Sequence, residues 1–325
     1  MTKKKILVNN LLPPKGLEDL YSHFDVIAPK DVKFSREQIL TLIPQCHGLL
    51  SAAFKVDKEI IDRAENLEII SNFGAGYDNV DIDYATQKGI IVTNIPETVT
   101  QSTAELTLGL IIALLRRMVE GDRRLRAKIH NAWGPTDFLG DVLAGKTLGI
   151  VGMGRIGLSV SKLAQAFGMN VVYHKRSPYS KSQEDNLNIK YLPLEELLQN
   201  SDVISLHCPL TPETYHLINE ESLKAMKPTA YLINTARGPV IDENALLKAL
   251  KTGEIKGAAL DVFEFEPKVT EGLLSLDNVV LTPHIGSSTL ETRTDMTKAC
   301  VKHLIDYFSG KRPTHIVNPE AFNKN

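Results

Sequence analysis

The sequence predicts a two-domain α/β protein, with a Rossmann-type parallel sheet in one domain and a flavodoxin-like parallel sheet in the other. Three observations predict it. Residues 147–157 read Thr-Leu-Gly-Ile-Val-Gly-Met-Gly-Arg-Ile-Gly, a short apolar run closed by Gly152, Gly154 and Gly157. Short apolar runs alternate with helical patterns along nearly the whole chain, as in βα units stacked into parallel sheets. The 325 residues suit two cores better than one, and no internal repeat beyond that alternation divides them.

In chain order, strands are expected at residues 6–8, 25–27, 48–51, 69–72 and 90–93. Helices are expected at 16–22, from 36, at 57–64 and at 82–88, which makes a small parallel sheet covered on both faces. The strand at 69–72 runs into Asn72-Phe-Gly-Ala-Gly-Tyr-Asp78, where Gly74 and Gly76 permit close backbone approach. That loop reads either as a plain βα turn or as a cradle of amides for an anion. Residues 94–97 break the pattern. Ser102-Thr-Ala-Glu105 has capping-box spacing and predicts the start of a long apolar crossover helix continuing towards Lys128. Its even hydrophobicity fits burial within the chain or against a second subunit.

The second domain opens on the 147–157 run. Ile156, Val160, Leu163, Ala164 and Phe167 recur at helical spacing, Gly168 can stop that helix, and 170–174 reads as the next strand. Further strands at 202–207, 230–234, 257–262 and 279–281 bring the sheet to six. A helical pattern over 290–308, stopped by Gly310, leads to a tail at 314–318 that is expected to return to the first domain. The predicted domains are therefore residues 1–101 with 287–325, and residues 102–286.

Composition narrows the functional classes. Hydrophobic residues make up 43% and charged residues 23%, ordinary for a globular chain. A formal net charge of -2 and no basic cluster interleaved with aromatics argue against nucleic acid as a partner. Cys46, Cys208 and Cys300 lie far apart without a CxxC pair, which argues against a disulfide framework or a metal site and fits a reducing cytoplasm. The longest apolar run, 106–115, contains Thr107 and Gly109 and is too short to span a bilayer, and the N-terminus lacks a signal-peptide core.

The glycine pattern carries the first chemical reading. In a strand-turn-helix, the first glycine makes the turn, the second admits a pyrophosphate and the third lets helix and strand pack, with helix amides facing the phosphates. Gly152, Gly154, Arg155, Ile156 and Gly157 would line that site. An NAD-binding unit places a carboxylate at the tip of its second strand; here the tip reads Tyr-His-Lys-Arg-Ser, with no acid. Lys175, Arg176 and Ser177 offer two charges and a hydroxyl to a 2'-phosphate, so NADP(H) is preferred and NAD(H) remains possible.

Arg237, Glu266 and His284 each follow the carboxyl end of a predicted strand, where open α/β sheets place ligands. Reduction of a carbonyl beside a carboxylate needs a cation for the acid, a proton donor for the new alkoxide and an anion to keep that donor protonated. Those three residue types supply them. Taken singly, each has an ordinary structural reading as a hydrogen-bonding or solvated side chain. His207 can line the same crevice, whereas His23, His47, His130, His216, His303 and His315 have no partner legible in the sequence.

These segments together resemble the D-isomer-specific 2-hydroxyacid dehydrogenases over nearly the whole chain. The resemblance rests on Asn72-Phe-Gly-Ala-Gly-Tyr-Asp-Asn-Val-Asp81, on residues 145–157, on Asn234-Thr-Ala-Arg-Gly238, on Ala259-Leu-Asp-Val-Phe-Glu-Phe-Glu-Pro267 and on Thr282-Pro-His-Ile-Gly286. It implies that Arg237 binds the substrate carboxylate, that His284 is the general acid and that Glu266 pairs with it. It also implies substrate contacts from the amides of Ala75 and Gly76, a carboxamide contact from Asp261, and a cofactor cleft lined by Thr103, His207, Pro209 and Thr214, with Ala236 and Gly286 beside them. Two domains closing over a small 2-keto acid and a homodimer formed through the cofactor domain are further implications.

Within the family, the sequence looks most similar to glyoxylate/hydroxypyruvate reductases and 2-ketogluconate reductases. Glu266 argues against the formate dehydrogenases, and the lack of an appended effector segment after Asn325 argues against the larger phosphoglycerate dehydrogenases. Phe265 and the stretch from Trp133 to Phe138 do not single out one substrate. A dinucleotide-sensing, corepressor-like binding protein is the reading from another class.

Overall fold

The computed structural model describes residues 3–129 and 134–322. The chain divides into two compact units, Met1–Val99 with Ser287–Asn325, and Thr100–Gly286.

The first unit starts with β1 (Lys5–Val8), α1 (Glu18–His23), β2 (Asp25–Ile27), α2 (Arg36–Leu42), β3 (Gly48–Ser51), α3 (Lys58–Arg63), β4 (Ile69–Asn72), α4 (Ile82–Gln87) and β5 (Ile91–Thr93). Its five strands are all parallel in the order β2-β1-β3-β4-β5. That order is the flavodoxin-like one. Leu7, Leu49, Ile70 and Val92 turn to one face, where Ile39, Ile60, Ile61 and Ala85 of α2, α3 and α4 cover them. The local signals are strong: Ser35 closes a capping box on α2 with Gln38, and Asp57 and Asp81 cap α3 and α4.

The second unit begins with α5 (Thr100–Leu115) and α6 (Met118–Arg126). Two expectations are corrected here. Ser102 lies inside the first turns of α5 rather than at its N-cap, and the crossover helix is broken in two at Arg117, whose φ is 53°. The break has a cause in the returning chain. The amide of Asp141 donates to the Leu115 carbonyl at 2.9 Å, taking the acceptor that a continuing helix would use. The Arg117 guanidinium is then held by Glu120, at 2.8 Å through both Nε and Nη2, and lies over the Phe138 ring.

The rest of the unit is β6 (Thr147–Val151), α7 (Arg155–Ala166), β7 (Asn170–His174), α8 (Lys181–Leu187), β8 (Lys190–Tyr191), α9 (Leu194–Asn200), β9 (Val203–Leu206), α10 (Glu220–Ala225), β10 (Tyr231–Asn234), α11 (Glu243–Thr252), β11 (Gly257–Leu260) and β12 (Val279–Leu281). The sheet has seven parallel strands, not six, in the order β12-β11-β10-β9-β6-β7-β8. The additional edge strand is two residues long, too short for a periodic signal, and pairs with Val172 and Tyr173. Both faces are apolar. Along β10, Leu232 faces the core shared with Leu197, Leu246 and Leu250, and its neighbours Tyr231 and Ile233 face the core shared with Leu108, Ile111 and Val160. Strand order reverses between β6 and β9, and such a switch point opens a crevice at the strand ends.

The chain returns to the first unit as α12 (Leu290–Phe308), which packs on β4, and ends its described part in α13 (Pro319–Phe322). The segment between them lies along β5: Ile316 bridges Thr93, and the buried Asn318 side chain accepts from the Val92 amide and donates to the Ile90 carbonyl.

Candidate active site

Three neighbouring strands of the second unit deliver the candidate acid-base groups at their carboxyl ends: Arg237 after β10, Glu266 after β11 and His284 after β12. The buried Asn234 builds the first of these turns, accepting from the Ala236 amide at 3.0 Å and donating to the Arg237 carbonyl at 2.9 Å. The Arg237 guanidinium donates to the Ala236 carbonyl at 2.8 Å.

Asp261 builds the third turn. One of its carboxylate oxygens accepts from Thr282 Oγ1 at 2.6 Å and from the Ile285 amide at 2.8 Å, and the other accepts from the Gly286 amide at 2.8 Å. The His284 amide donates to the Asp261 carbonyl, and His284 itself adopts a left-handed φ of 53°. Asp261 thus folds the histidine loop, a use that its sequence context does not disclose.

Within this frame, His284 Nδ1 lies 3.1 Å from Glu266 Oε2, and both side chains are partly open to solvent. The Phe263 amide donates to the other Glu266 oxygen at 3.1 Å. Burial lifts the Glu266 carboxyl, but the hydrogen bond and charge of His284, the Phe263 amide and the nearby charge of Arg237 outweigh it, holding the group below the ordinary carboxylate range. With Nδ1 committed to Glu266, the opposite ring nitrogen of His284 is left to face a ligand.

The second group of residues surrounds the β6-α7 turn and tests whether a dinucleotide fits. Gly152 has φ 98°, and a Cβ there would run into the backbone of His207 and Cys208, so only glycine makes this turn. A Cβ on Gly157 would come within 2.6 Å of the Gly152 carbonyl oxygen, whereas one on Gly154 would meet no atom within 4 Å. That open position leaves room for a phosphate group to approach the backbone. Among the described residues no side chain caps the N-terminus of α7, and the first turn of such a helix turns its amides towards an anion. His207 donates its amide to the Val151 carbonyl and pairs Nε2 with Ser205, but its Nδ1 is shut off from solvent with no hydrogen-bond partner among the described residues. Burial pushes this imidazole down to about 3, so it is neutral and able to pair with a ligand group. These features fit the cofactor.

At the tip of β7, Arg176 and Ser177 are exposed, and Lys175 lies with Nζ 4.0 Å from the centre of the Tyr179 ring. Tyr179 Oη donates to the Met153 carbonyl, tying the tip to the glycine turn. Thr214 braces the loop after β9 by donating to the Pro209 carbonyl at 2.6 Å, and Thr103 of α5 donates to the Gly286 carbonyl at 3.3 Å.

In the first unit, the 72–78 loop is laced by its carbonyls. Asn72 Nδ2 donates to Gly76 O, Asn94 Nδ2 to Ala75 O and the Ile95 amide to Gly74 O. The amides of Ala75 and Gly76 donate to nothing among the described residues. Trp133 and His130 lie outside the described residues.

Residues 108–286 match the family described as D-isomer specific 2-hydroxyacid dehydrogenase, NAD binding domain. The chain belongs to the D-isomer-specific 2-hydroxyacid dehydrogenases. This dehydrogenase is 46% identical to the glyoxylate reductase of Pyrococcus horikoshii, over 98% of its own chain and 97% of the relative's. A crystal structure of a Thermus thermophilus protein superposes with a TM-score of 0.90 at 43% identity, covering 96% of the dehydrogenase and 99% of that chain. An NADPH-dependent glyoxylate/hydroxypyruvate reductase from Sinorhizobium meliloti, crystallised with NADP and malonate, gives a TM-score of 0.84 at 33% identity over 98% of each chain. The dehydrogenase is therefore an oxidoreductase acting on CH-OH donors with a nicotinamide dinucleotide. No helix among the described residues is long and apolar enough to cross a membrane.

Five of the six histidines expected to lack a partner have one: His23 with the Asp19 carbonyl, His47 with the Lys5 amide, His303 with Thr314, His315 with Glu97, and His216 with an acid beside the active-site loop. His216 places Nε2 2.7 Å from Glu264 Oε1. The two lie 48 residues apart, and no local pattern connects them.

Proposed function

We propose that this dehydrogenase is an NADPH-dependent reductase of small 2-keto acids, converting glyoxylate to glycolate and hydroxypyruvate to D-glycerate. The observation that carries the reading is the Glu266-His284 pair, held at 3.1 Å with the charge of Arg237 beside it.

The bound nicotinamide supplies the hydride. Arg237 binds the substrate carboxylate and draws charge onto the keto oxygen. In the first unit, the amides of Ala75 and Gly76 are a pair of donors suited to a substrate carboxylate. His284, protonated on both nitrogens, holds Nδ1 towards Glu266 and passes its Nε2 proton to the developing alkoxide, and Glu266 steadies the imidazolium. In the reverse direction the same nitrogen takes the proton back.

Gly152, Gly154, Gly157 and the start of α7 hold the pyrophosphate, and Lys175, Arg176 and Ser177 hold the 2'-phosphate. The absence of a carboxylate at that tip supports NADPH over NADH. Three free cysteines support a reducing cytoplasm as the setting, and the apolar α5 supports a homodimer. A 2-ketogluconate reductase is the second reading within the same chemistry.

Initial rates of NADPH and NADH oxidation against glyoxylate, hydroxypyruvate, pyruvate and 2-ketogluconate test the proposal. NADPH preference with the two- and three-carbon acids is expected. Preference for 2-ketogluconate would move the enzyme to sugar acids, and no turnover on any of the four would sink the reductase reading.

A further inference from the structure

The segment after β11 carries two acids separated by Phe265, Glu264 and Glu266, and they turn to different partners. Glu266 meets His284. Glu264 turns into the protein, where its side chain is 8% exposed, and does three things. Its Oε1 lies 2.7 Å from His216 Nε2, its Oε2 accepts from the Glu243 amide at 3.2 Å, and its own amide donates to Glu243 Oε1 at 2.6 Å. Glu243, at 1% exposure, accepts from Thr270 Oγ1 with its remaining oxygen. The two glutamates are therefore clasped backbone to side chain in both directions. On the opposite flank Gly238, next to Arg237, lies so close that a Cβ would overlap the Phe263 carbonyl carbon and oxygen.

Burying two carboxylates against one loop is costly, and well-packed apolar residues of similar volume commonly serve stability equally well. What the clasp provides is direction. It fixes Phe263, whose amide holds one Glu266 oxygen, and it fixes the turn from which Glu266 projects. The groups facing Glu266 are His284 and Arg237; those facing Glu264 are His216 and Glu243.

We propose that Glu264, joined to His216 and clasped with Glu243, is a positioning residue that aims Glu266 at His284. This rests on the reading of Glu266 and His284 as the proton-delivering pair.

The test follows the Glu266 carboxyl directly, by 13C NMR titration of glutamate-labelled protein without cofactor, the signal being assigned by its loss in E266Q. In the unsubstituted protein it is expected to titrate below the ordinary carboxylate range. E264Q and H216Q are expected to move it upward, as H284Q does, and E264Q on the H284Q background is expected to move it no further. H216Q leaves the glutamate loop itself intact and so separates loss of aim from loss of fold. In turnover assays both E264Q and H216Q are expected to lower kcat by up to about 100-fold at unchanged KM, with E264D recovering part of the rate. An unmoved Glu266 titration in E264Q and H216Q overturns the proposal whatever the rates. Absence of turnover in the unsubstituted enzyme would sink the reductase reading alone, because the titration still decides whether Glu264 aims Glu266.

Discussion

His284 combines a left-handed backbone with a carboxylate at 3.1 Å, and it is held in place by an aspartate that spends three hydrogen bonds on its turn. Non-glycine residues rarely adopt that conformation unless the surroundings enforce it, and such positions cluster at functional sites. Replacing His284 with Gln should lower kcat by about 100- to 10,000-fold while the cofactor dissociation constant, read by fluorescence, stays near its original value. Arg237→Ala should raise the keto-acid KM most, and unchanged kinetics in both variants would refute the assignment. Arg176→Gln should narrow the NADPH over NADH ratio of kcat/KM, because Arg176 is an exposed cation at the β7 tip. Arg237, Glu266 and His284 stood out in the sequence because polar side chains follow apolar strands there. Glu264, Glu243 and His216 did not, because their meaning lies in contacts made across 21 to 48 residues of chain.

At the scale of elements, the chain's punctuation was legible and its interruptions were not. Gly168 stops α7 at φ 77°, and the strands and helices of both sheets follow the apolar periodicity. The break at Arg117 escaped the sequence because its cause, the Asp141 amide at Leu115, arrives from a segment that returns only after the helix ends. Asn318 shows the same dependence on distant chain. Its side chain serves the Val92 amide, the Ile90 carbonyl and Thr86 Oγ1 from a fully buried position. Asn318→Ala should therefore cost about 2 to 4 kcal/mol, since it strands a buried donor and a buried acceptor together. Urea denaturation would check this through a lowered midpoint with an unchanged slope.

For the whole molecule, the fold class followed from βα alternation and one glycine turn, and strand order could not, because register and neighbours are set by packing between distant elements. Stability should fall in mild acid. Burial pushes His207 down to about 3 and His303 down to about 4, the latter helped by the charges of His315 and Lys302 against Asp306. In the unfolded chain both titrate near 6.5, so between those values the unfolded state binds more protons and stability rises with pH. Each histidine contributes a slope of up to ~1.4 kcal/mol per pH unit in that window. Unfolding free energies measured from pH 7 down to pH 4 should show the decline, and His303→Gln should make it shallower.

The first unit is assembled from both ends of the sequence, with α12 laid on β4 and Asn318 completing β5. During synthesis, residues 1–99 therefore leave the ribosome without the helix and side chain that finish their sheet, whereas residues 100–286 emerge with every strand they need. The usual vectorial order, N-terminal unit first, is expected to be inverted. A nascent chain arrested after residue 286 should yield a protease-resistant second unit and a digestible first one, so a holding chaperone would engage the amino-terminal hundred residues until the carboxyl-terminal helix arrives.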